Sequence, residues 1–440
     1  MKTLLTLFVA VLSLAWATAA LAPGAEITTS LPWIARQEGL YLTGLLSIGL
    51  MSLAMVLAVR PAWLERPLGG LDRAYRVHKW AGILAIALAA THWLVEMSDD
   101  IIKNIWGKAG KPDNEHVTGV LAGLQDLAED FGEWAIYAVL AMLVLSLWKR
   151  FPYALWRHAH RIMPVLYLML AFHAALLAPA TYWTQPVGAL LALLLSAGTI
   201  ASIISLTGRI AHKRQFGAEI VSVSSPAPDI TEVQCRLASP HFTHKPGQFA
   251  FVTFDTLEGA HPFTIASADQ GDGLLTFQVK GLGDYTRKLA QRLSTGQRLR
   301  IEGPYGHFST DRLDHNAQQL WVAAGIGVTP FIAWLESLSA TPAEAPVARL
   351  HYLVRDERND PFVERLRALC SVLPSIELRI HDTGSGDRPD AESLIGTANN
   401  VEKLEVWFCG PQGLGAQIRS ALERHFPTKG RFHQELFEMR

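Results

Sequence analysis

Paired cysteines are missing from this 440-residue chain: its three, Cys235, Cys370 and Cys409, lie far apart and form no C-x-x-C spacing. That excludes a cysteine-ligated iron–sulfur cluster and a structural zinc site, so any redox carrier must be held by other side chains. Charge is scarce too. Only 18% of the residues are Asp, Glu, Lys or Arg, the formal net charge is -1, and there is no long basic stretch or acidic tail. No nucleic-acid partner is expected from such a pattern. Internal repeats, low-complexity tracts and a calcium-binding loop are likewise absent, which leaves no regulatory module in view.

What the chain has is apolar surface, at 50% hydrophobic residues. Runs approaching the roughly 20 residues that cross a bilayer occur near 4–21, 41–59, 78–95, 131–148, 165–177 continued from 156, and 187–210. None follows Arg214. Lys and Arg cluster in the second connection (Arg60, Arg66, Arg73, Arg76, Lys79), in the fourth (Lys149, Arg150, Arg157, Arg161) and at the exit (Arg209, Lys213, Arg214). The positive-inside bias makes these the cytoplasmic sides. The connection 97–130 carries Asp99, Asp100, Asp113, Glu115, Asp126, Glu129 and Asp130, and 178–186 carries no charge. Those connections face outward. The expectation is a multi-pass protein of the cell membrane with its C-terminal half in the cytoplasm. Lys2, the short apolar core and Ala17-Thr18-Ala19 also read as a cleavable leader, so six spans become five if the first is removed.

From Gln215 short alternating runs at 219–223, 249–254, 274–279 and 298–302 predict an antiparallel β-barrel. From about Asn316 strands at 320–324, 350–354, 377–380 and 406–409 alternate with amphipathic helices, the pattern of an α/β nucleotide-binding domain. The fold class is thus multi-domain: an α-helical transmembrane bundle over 1–213, an antiparallel β-barrel over 214–312 and an α/β domain over 313–440.

His78 and His92 lie in one apolar run, 14 residues apart. On a helix that is within roughly 40° of one face and about 21 Å of rise. A lone intramembrane histidine is as readily a hydrogen-bonded packing residue as a ligand. Here, however, a second run two spans later carries His158, His160 and His173. The two helices run parallel, so their histidines pair by depth into two bis-histidine haem sites. Straight geometry prefers His158 over His160 as the partner of His173, but Pro164 removes a helical hydrogen bond and clashes with the carbonyl of His160. The phase argument is weakened there.

With 14 residues between histidines in one span and 13 in the other, the pattern resembles the ferric reductase and NADPH oxidase superfamily. The resemblance favours His160. It implies that His78 and His160 ligate a cytoplasmic-side b-type haem, that His92 and His173 ligate an outward-side one, and that His158 is an interface residue.

The C-terminal half extends the resemblance to the ferredoxin-NADP reductase superfamily. His261-Pro262-Phe263-Thr264-Ile265-Ala266-Ser267 looks like its flavin-binding strand, in which Thr264 or Ser267 can hydrogen-bond the isoalloxazine edge. Lys280-Gly281-Leu282-Gly283-Asp284-Tyr285-Thr286 looks like its FAD-diphosphate loop, where free backbone N–H groups cradle phosphate. Lys245-Pro246-Gly247-Gln248-Phe249 and Glu302-Gly303-Pro304-Tyr305-Gly306 fit the same pattern. Gly325-Ile326-Gly327-Val328-Thr329-Pro330 follows a strand and opens a helix, where such domains bind nucleotide phosphate. It resembles the family's nicotinamide-nucleotide loop, and Cys409-Gly410-Pro411-Gln412-Gly413 its second signature, with Cys409 near the nicotinamide. By the same likeness Phe437 stacks on the flavin, Phe432 being the alternative. Arg355, after a strand, favours NADPH over NADH where it meets a 2′-phosphate, and is otherwise a solvated surface residue.

The resemblance implies FAD, two b-type haems and NADPH or NADH as donor. Electrons would leave for a small-molecule acceptor on the outer side, oxygen ahead of a ferric chelate or a periplasmic partner. No partner subunit is indicated. Two rival classes differ in what they discard: a cytochrome b subunit or haem sensor would lack intact flavin and nucleotide motifs, and a membrane-tethered flavoreductase would leave the four histidines as packing residues.

Overall fold

The computed structural model describes residues 2–21, 30–109, 111, 118–148, 150–239, 241–256, 258–397 and 402–435. It divides into two units, Met1–Ala211 and His212–Arg440.

The first unit is helical: α1 (Lys2–Ala20), α2 (Leu31–Ala58), α3 (Ala62–Leu68), α4 (Leu71–Glu96), α5 (Asp99–Trp106), α6 (Val120–Leu147), α7 (Tyr153–His160), α8 (Met163–Leu177) and α9 (Pro186–Leu206). Among the described residues five apolar helices are long enough to cross a membrane, taking Leu155–Leu177 as one span, and the pair α4 and α5, bent by 40°, makes a sixth if read as a single span. The chain is therefore a multi-pass membrane protein. Helices α2 and α6 begin well before their apolar runs, so Asp126, Glu129 and Asp130 sit on α6 rather than in a connection. Pro164 occupies the second position of α8, and the break at Arg161 and Ile162 follows from its missing N–H and its clash one turn back.

Without water in the bilayer, each buried hydroxyl needs a protein partner. Ser47 Oγ donates to the Ala85 carbonyl at 2.9 Å, tying α2 to α4. Ser52 and Tyr167 share a hydrogen bond of 2.8 Å between α2 and α8. A Cβ on Gly198 would lie 2.1 Å from the Tyr167 hydroxyl, so α9 admits this tyrosine only because it has no side chain there.

The second unit begins with β1 (Gln215–Ala227), β2 (Ile230–Leu237), β3 (Phe249–Thr253), β4 (His261–Thr264), β5 (Leu274–Lys280) and β6 (Arg298–Tyr305), in the order β4-β3-β6-β1-β2-β5. All pairings are antiparallel. An isolated bridge from Ile265 to Phe277 and the Ala266 N–H to Thr276 carbonyl bond of 2.8 Å join the outer strands and draw the sheet into a barrel. Val233, Cys235, Ala250, Phe277 and Ile301 fill it. Short helices α10 (Asp284–Arg287) and α11 (Leu289–Arg292) lie between β5 and β6.

A parallel sheet follows, β7 (Gln318–Ala324), β8 (Ala348–Val354), β9 (Ile376–Asp382), β10 (Leu404–Cys409) and β11 (Gly430–Gln434), in the order β11-β10-β7-β8-β9. Helices α12 (Thr329–Ala340) and α13 (Val363–Ser371) pack on one face. The other face carries α14 (Ala391–Gly396) and α15 (Gln412–His425). Trp334 of α12 rivets the two domains: its indole N–H reaches the Pro246 carbonyl at 3.0 Å, and its ring lies 4.9 Å from Phe308. Gly247, at φ 88°, permits this approach, since a Cβ there would fall 2.1 Å from the Phe308 carbonyl oxygen.

Candidate functional site

Two pairs of imidazoles meet inside the helical unit. The ring of His78 lies 6.2 Å, centre to centre, from His160 at the end of α7, and His92 lies 6.3 Å from His173 on α8. A metal ion between two imidazole nitrogens, each at about 2.0 Å, sets the ring centres a little over ~6 Å apart. The spacing fits one ion per pair. Of the two candidates left open by helical phase, His160 is the one whose ring meets His78.

Hydrogen bonding fixes the tautomers. Nδ1 of His78 lies 2.9 Å from the Ala54 carbonyl, Nδ1 of His92 3.0 Å from that of Leu40, and Nδ1 of His173 2.8 Å from that of Ala128. A carbonyl only accepts, so Nδ1 carries the proton and Nε2 presents its lone pair, as a metal ligand must. These carbonyls come from α2 and α6, which carry none of the four histidines. His160 instead packs on Trp156 at 5.0 Å. Among the described residues no three His, Cys, Asp or Glu side chains gather as a metal site. Two imidazoles per ion would leave the remaining positions to a macrocycle, so the donor set fits b-type haem.

In the barrel, the predicted flavin segment His261-Pro262-Phe263-Thr264 forms β4, with Thr264 buried opposite Phe249. The His261 ring stacks on Tyr285 at 5.3 Å and 11°, which ties β4 to the first turn of α10. Ser267 Oγ accepts the Thr276 N–H at 3.2 Å, and the Ser267 carbonyl accepts from His244 Nε2 at 2.9 Å. The Ser267 hydroxyl proton stays available to a flavin edge. Burial holds the His244 imidazole below the ordinary histidine range, more than the Ser267 bond and Asp269 offset. In the loop after β5, Gly281 N–H donates to the Asp229 carbonyl at 2.8 Å and Gly283 N–H to Thr286 Oγ1 at 3.0 Å. Asp284 opens α10, its side chain lying outside the described set.

Strand order in the parallel sheet reverses between β10 and β7, and ligands bind such sheets in the crevice at that switch point. The loops predicted for the nucleotide emerge there. A Cβ on Gly327 would lie 2.2 Å from the Cys409 carbonyl oxygen, and one on Gly410 would lie 2.9 Å from the Ala324 Cβ. The loops interlock only as glycine. Thr329 and Pro330 start α12, and Pro411 precedes α15. Gly325, at φ 52°, would place a Cβ 4.0 Å from Lys280 Nζ, which brings the flavin-loop lysine against the nucleotide loop. Arg355 is exposed just beyond β8, at the same edge.

Cys409 is buried, and burial, with Glu435 adding to it, pushes its thiol above the usual range, so it is neutral. Phe437 lies outside the described residues. The alternative, Phe432, packs between Phe408 and Arg419 on the α15 side of the sheet.

Sequence reasoning missed the carbonyls of Leu40, Ala54 and Ala128, because a backbone acceptor leaves no mark on residue identity. It also missed Glu405, buried on β10, which accepts from His433 Nε2 at 2.9 Å, from Asp314 N–H at 2.7 Å and from Gln319 Nε2 at 2.9 Å. Burial raises its pKa, but these three bonds outweigh burial and hold the carboxyl at about 2.

Residues 43–171 match a family described as ferric reductase like transmembrane component, and residues 215–309 match an FAD-binding domain. The chain is 27% identical over 341 residues to the heavy chain of the superoxide-generating NADPH oxidase of Dictyostelium discoideum, covering 63% of each. It is 32% identical over 202 residues to the ferredoxin reductase component of 3-ketosteroid-9-alpha-monooxygenase from Rhodococcus rhodochrous, covering 44% of this chain and 56% of that one. It thus spans less than two thirds of either relative. Among solved structures, flavohemoglobin from Malassezia yamatoensis is 16% identical with a TM-score of 0.50, covering 92% of this chain and 99% of that one, a likeness of fold alone.

Proposed function

The chain belongs to the ferric reductase and NADPH oxidase superfamily, and from that premise we propose that it moves electrons from cytoplasmic NAD(P)H across the cell membrane to oxygen on the outer side. The observation that carries the reading is the two facing imidazole pairs, three of whose rings bond a carbonyl through Nδ1 and so leave Nε2 for a metal. His78 and His160 hold the cytoplasmic-side haem, and His92 and His173 the outward one. Fourteen residues separate the two sites on α4, a rise of about 21 Å. Bound FAD would turn a two-electron donor into single electrons, and the haems would carry those electrons one at a time.

Residues 1–213 are the haem domain, 214–312 the FAD domain and 313–440 the NAD(P) domain. Thr264 and Ser267 orient the flavin edge, Tyr285 and His261 wall it, and Lys280 with Gly283, Asp284 and Thr286 holds its diphosphate. Gly325, Gly327, Thr329 and Pro330 receive the nicotinamide nucleotide, with Cys409, Gly410 and Pro411 opposite. Arg355 meets the 2′-phosphate, making NADPH the donor.

Oxygen is favoured over a ferric chelate because the histidine and flavin motifs follow the oxidase pattern and a small acceptor needs no recognition site. The test is the reduced-minus-oxidised spectrum of detergent-purified protein given NADPH under nitrogen and then air. Low-spin b-type bands that appear with NADPH and vanish in air support the reading. Their absence from protein made with ample haem leaves a tethered flavoreductase instead.

A further inference from the structure

We propose that Gly44 and Gly132 are positioning residues that set the reduction potential of the outer haem; this rests on reading His92 and His173 as its ligands. Two helix segments match each other residue for residue in spacing. Leu40 on α2 offers its carbonyl to His92, and four residues later comes Gly44; Ala128 on α6 offers its carbonyl to His173, and four residues later comes Gly132.

In an α-helix the side chain at position i+4 leans back over the turn before it and covers the carbonyl of residue i. That carbonyl is already engaged by the helix's own N–H, so a second donor must come in along the helix surface. Ala58 at i+4 still admits His78 to the Ala54 carbonyl, so a glycine there matters where the ring itself occupies the place of the Cβ. A Cβ on Gly132 would lie 2.4 Å from His173 Nδ1 and 2.6 Å from its Cε1, and one on Gly44 would lie 3.2 Å from both His92 Nδ1 and Cε1. The first overlap is impossible without displacing the ring, and the second requires a small shift.

The inner pair is built differently. His78 reaches the Ala54 carbonyl at 2.9 Å, the residue four positions on is Ala58, and His160 makes no hydrogen bond among the described residues. Both outer imidazoles donate to the backbone, whereas one inner imidazole does. An imidazole that donates from Nδ1 is a more basic ligand through Nε2, which stabilises ferric over ferrous iron. Each site titrates as a one-electron couple, and the outer one is therefore the lower in potential.

The experiment is a spectroelectrochemical titration of the haem bands in the detergent-purified holoprotein, with low-temperature EPR of the oxidised form. Gly132→Ala is expected to raise the lower-potential component about tenfold in its reduction equilibrium, the lower end of the usual cost of disturbing a ligand's partner, which is about 59 mV for one electron. Gly44→Ala raises the same component by less, and the other component stays where it was in both variants. Gly123→Ala, also on α6, adds a Cβ that meets nothing within 4 Å and moves neither. Should Gly132→Ala fail to retain haem, Gly44→Ala decides. Unchanged potentials and g values in the glycine variants, or an equal shift in Gly123→Ala, would overturn the proposal. Wild-type protein lacking b-type haem would overturn the two-haem reading instead.

Discussion

In the helical unit the site is made by side chains that are present, four histidines whose rings face one another in two pairs. In the nucleotide-binding sheet it is made by side chains that are absent, at Gly327 and Gly410, where two strand ends come too close for a Cβ. A helix spaces its side chains regularly, so ligands can be set along it like rungs. A parallel sheet instead gathers its loops at one edge, where what matters is how closely the backbone can approach a phosphate. Losing an imidazole should empty a haem site in the first region, and gaining a Cβ should close the approach to a phosphate in the second.

The sharpest break of that contrast is expected from His92→Leu. It should remove one of two haem equivalents per chain, measured by pyridine haemochrome against protein, and leave bound FAD unchanged. Gly327→Val should do the reverse, cutting the rate of haem reduction by NADPH at least about 100-fold, or ~2.7 kcal/mol of barrier, while dithionite still reduces both haems. Equal damage to haem content in both variants would erase the distinction.

Smaller effects separate how the two regions are held. Glu405→Gln should destabilise the nucleotide domain by about 1–3 kcal/mol, the cost of losing charged hydrogen bonds in a buried network, read from urea unfolding followed by tryptophan fluorescence. The same domain should weaken in acid. The Glu405 carboxyl sits at about 2 against an ordinary 4.5, and the His351 imidazole at about 3 against 6.5, lowered by burial and then by His381. Both values are depressed in the fold, so the stability they confer is present at neutral pH. It should fall from about pH 6.5 downward for His351 and from about 4.5 downward for Glu405. A transition temperature that stays flat from pH 7 to 4 would contradict that. The smallest effect belongs to Tyr167→Phe in the membrane, expected to cost about 0.6–2 kcal/mol, as single interhelical hydrogen bonds do, and readable as a lower melting temperature in detergent.

Legibility followed the same division. The histidine spacing was readable because a helix turns by a constant angle, and Pro164 marked where that constancy fails; the helix does break at Arg161 and Ile162. The ends of the helices were not readable. Apolar length reports the thickness of the bilayer, and α2 and α6 run on beyond it into polar residues such as Arg36 and Gln125. Helix α5 was hidden among acidic residues that suggested only a solvated connection. In the barrel, β2 escaped notice because Thr231, Glu232, Gln234 and Arg236 interrupt its buried Ile230, Val233 and Cys235. The polar strand β11 is fastened by the bond between His433 and Glu405, a tertiary contact with no local signature. Gly44 and Gly132 look like ordinary small residues of apolar helices until the imidazoles beside them are seen.

The central claim is that electrons change sides. The direct measurement uses proteoliposomes with cytochrome c enclosed as the electron trap and NADPH added outside, to address only the chains whose reductase unit faces outward. Reduction of the enclosed cytochrome c, suppressed by superoxide dismutase enclosed with it, is the predicted result. Haem and flavin fully reduced by NADPH with the enclosed cytochrome c left oxidised, while detergent-solubilised protein reduces it, would contradict transfer across the membrane.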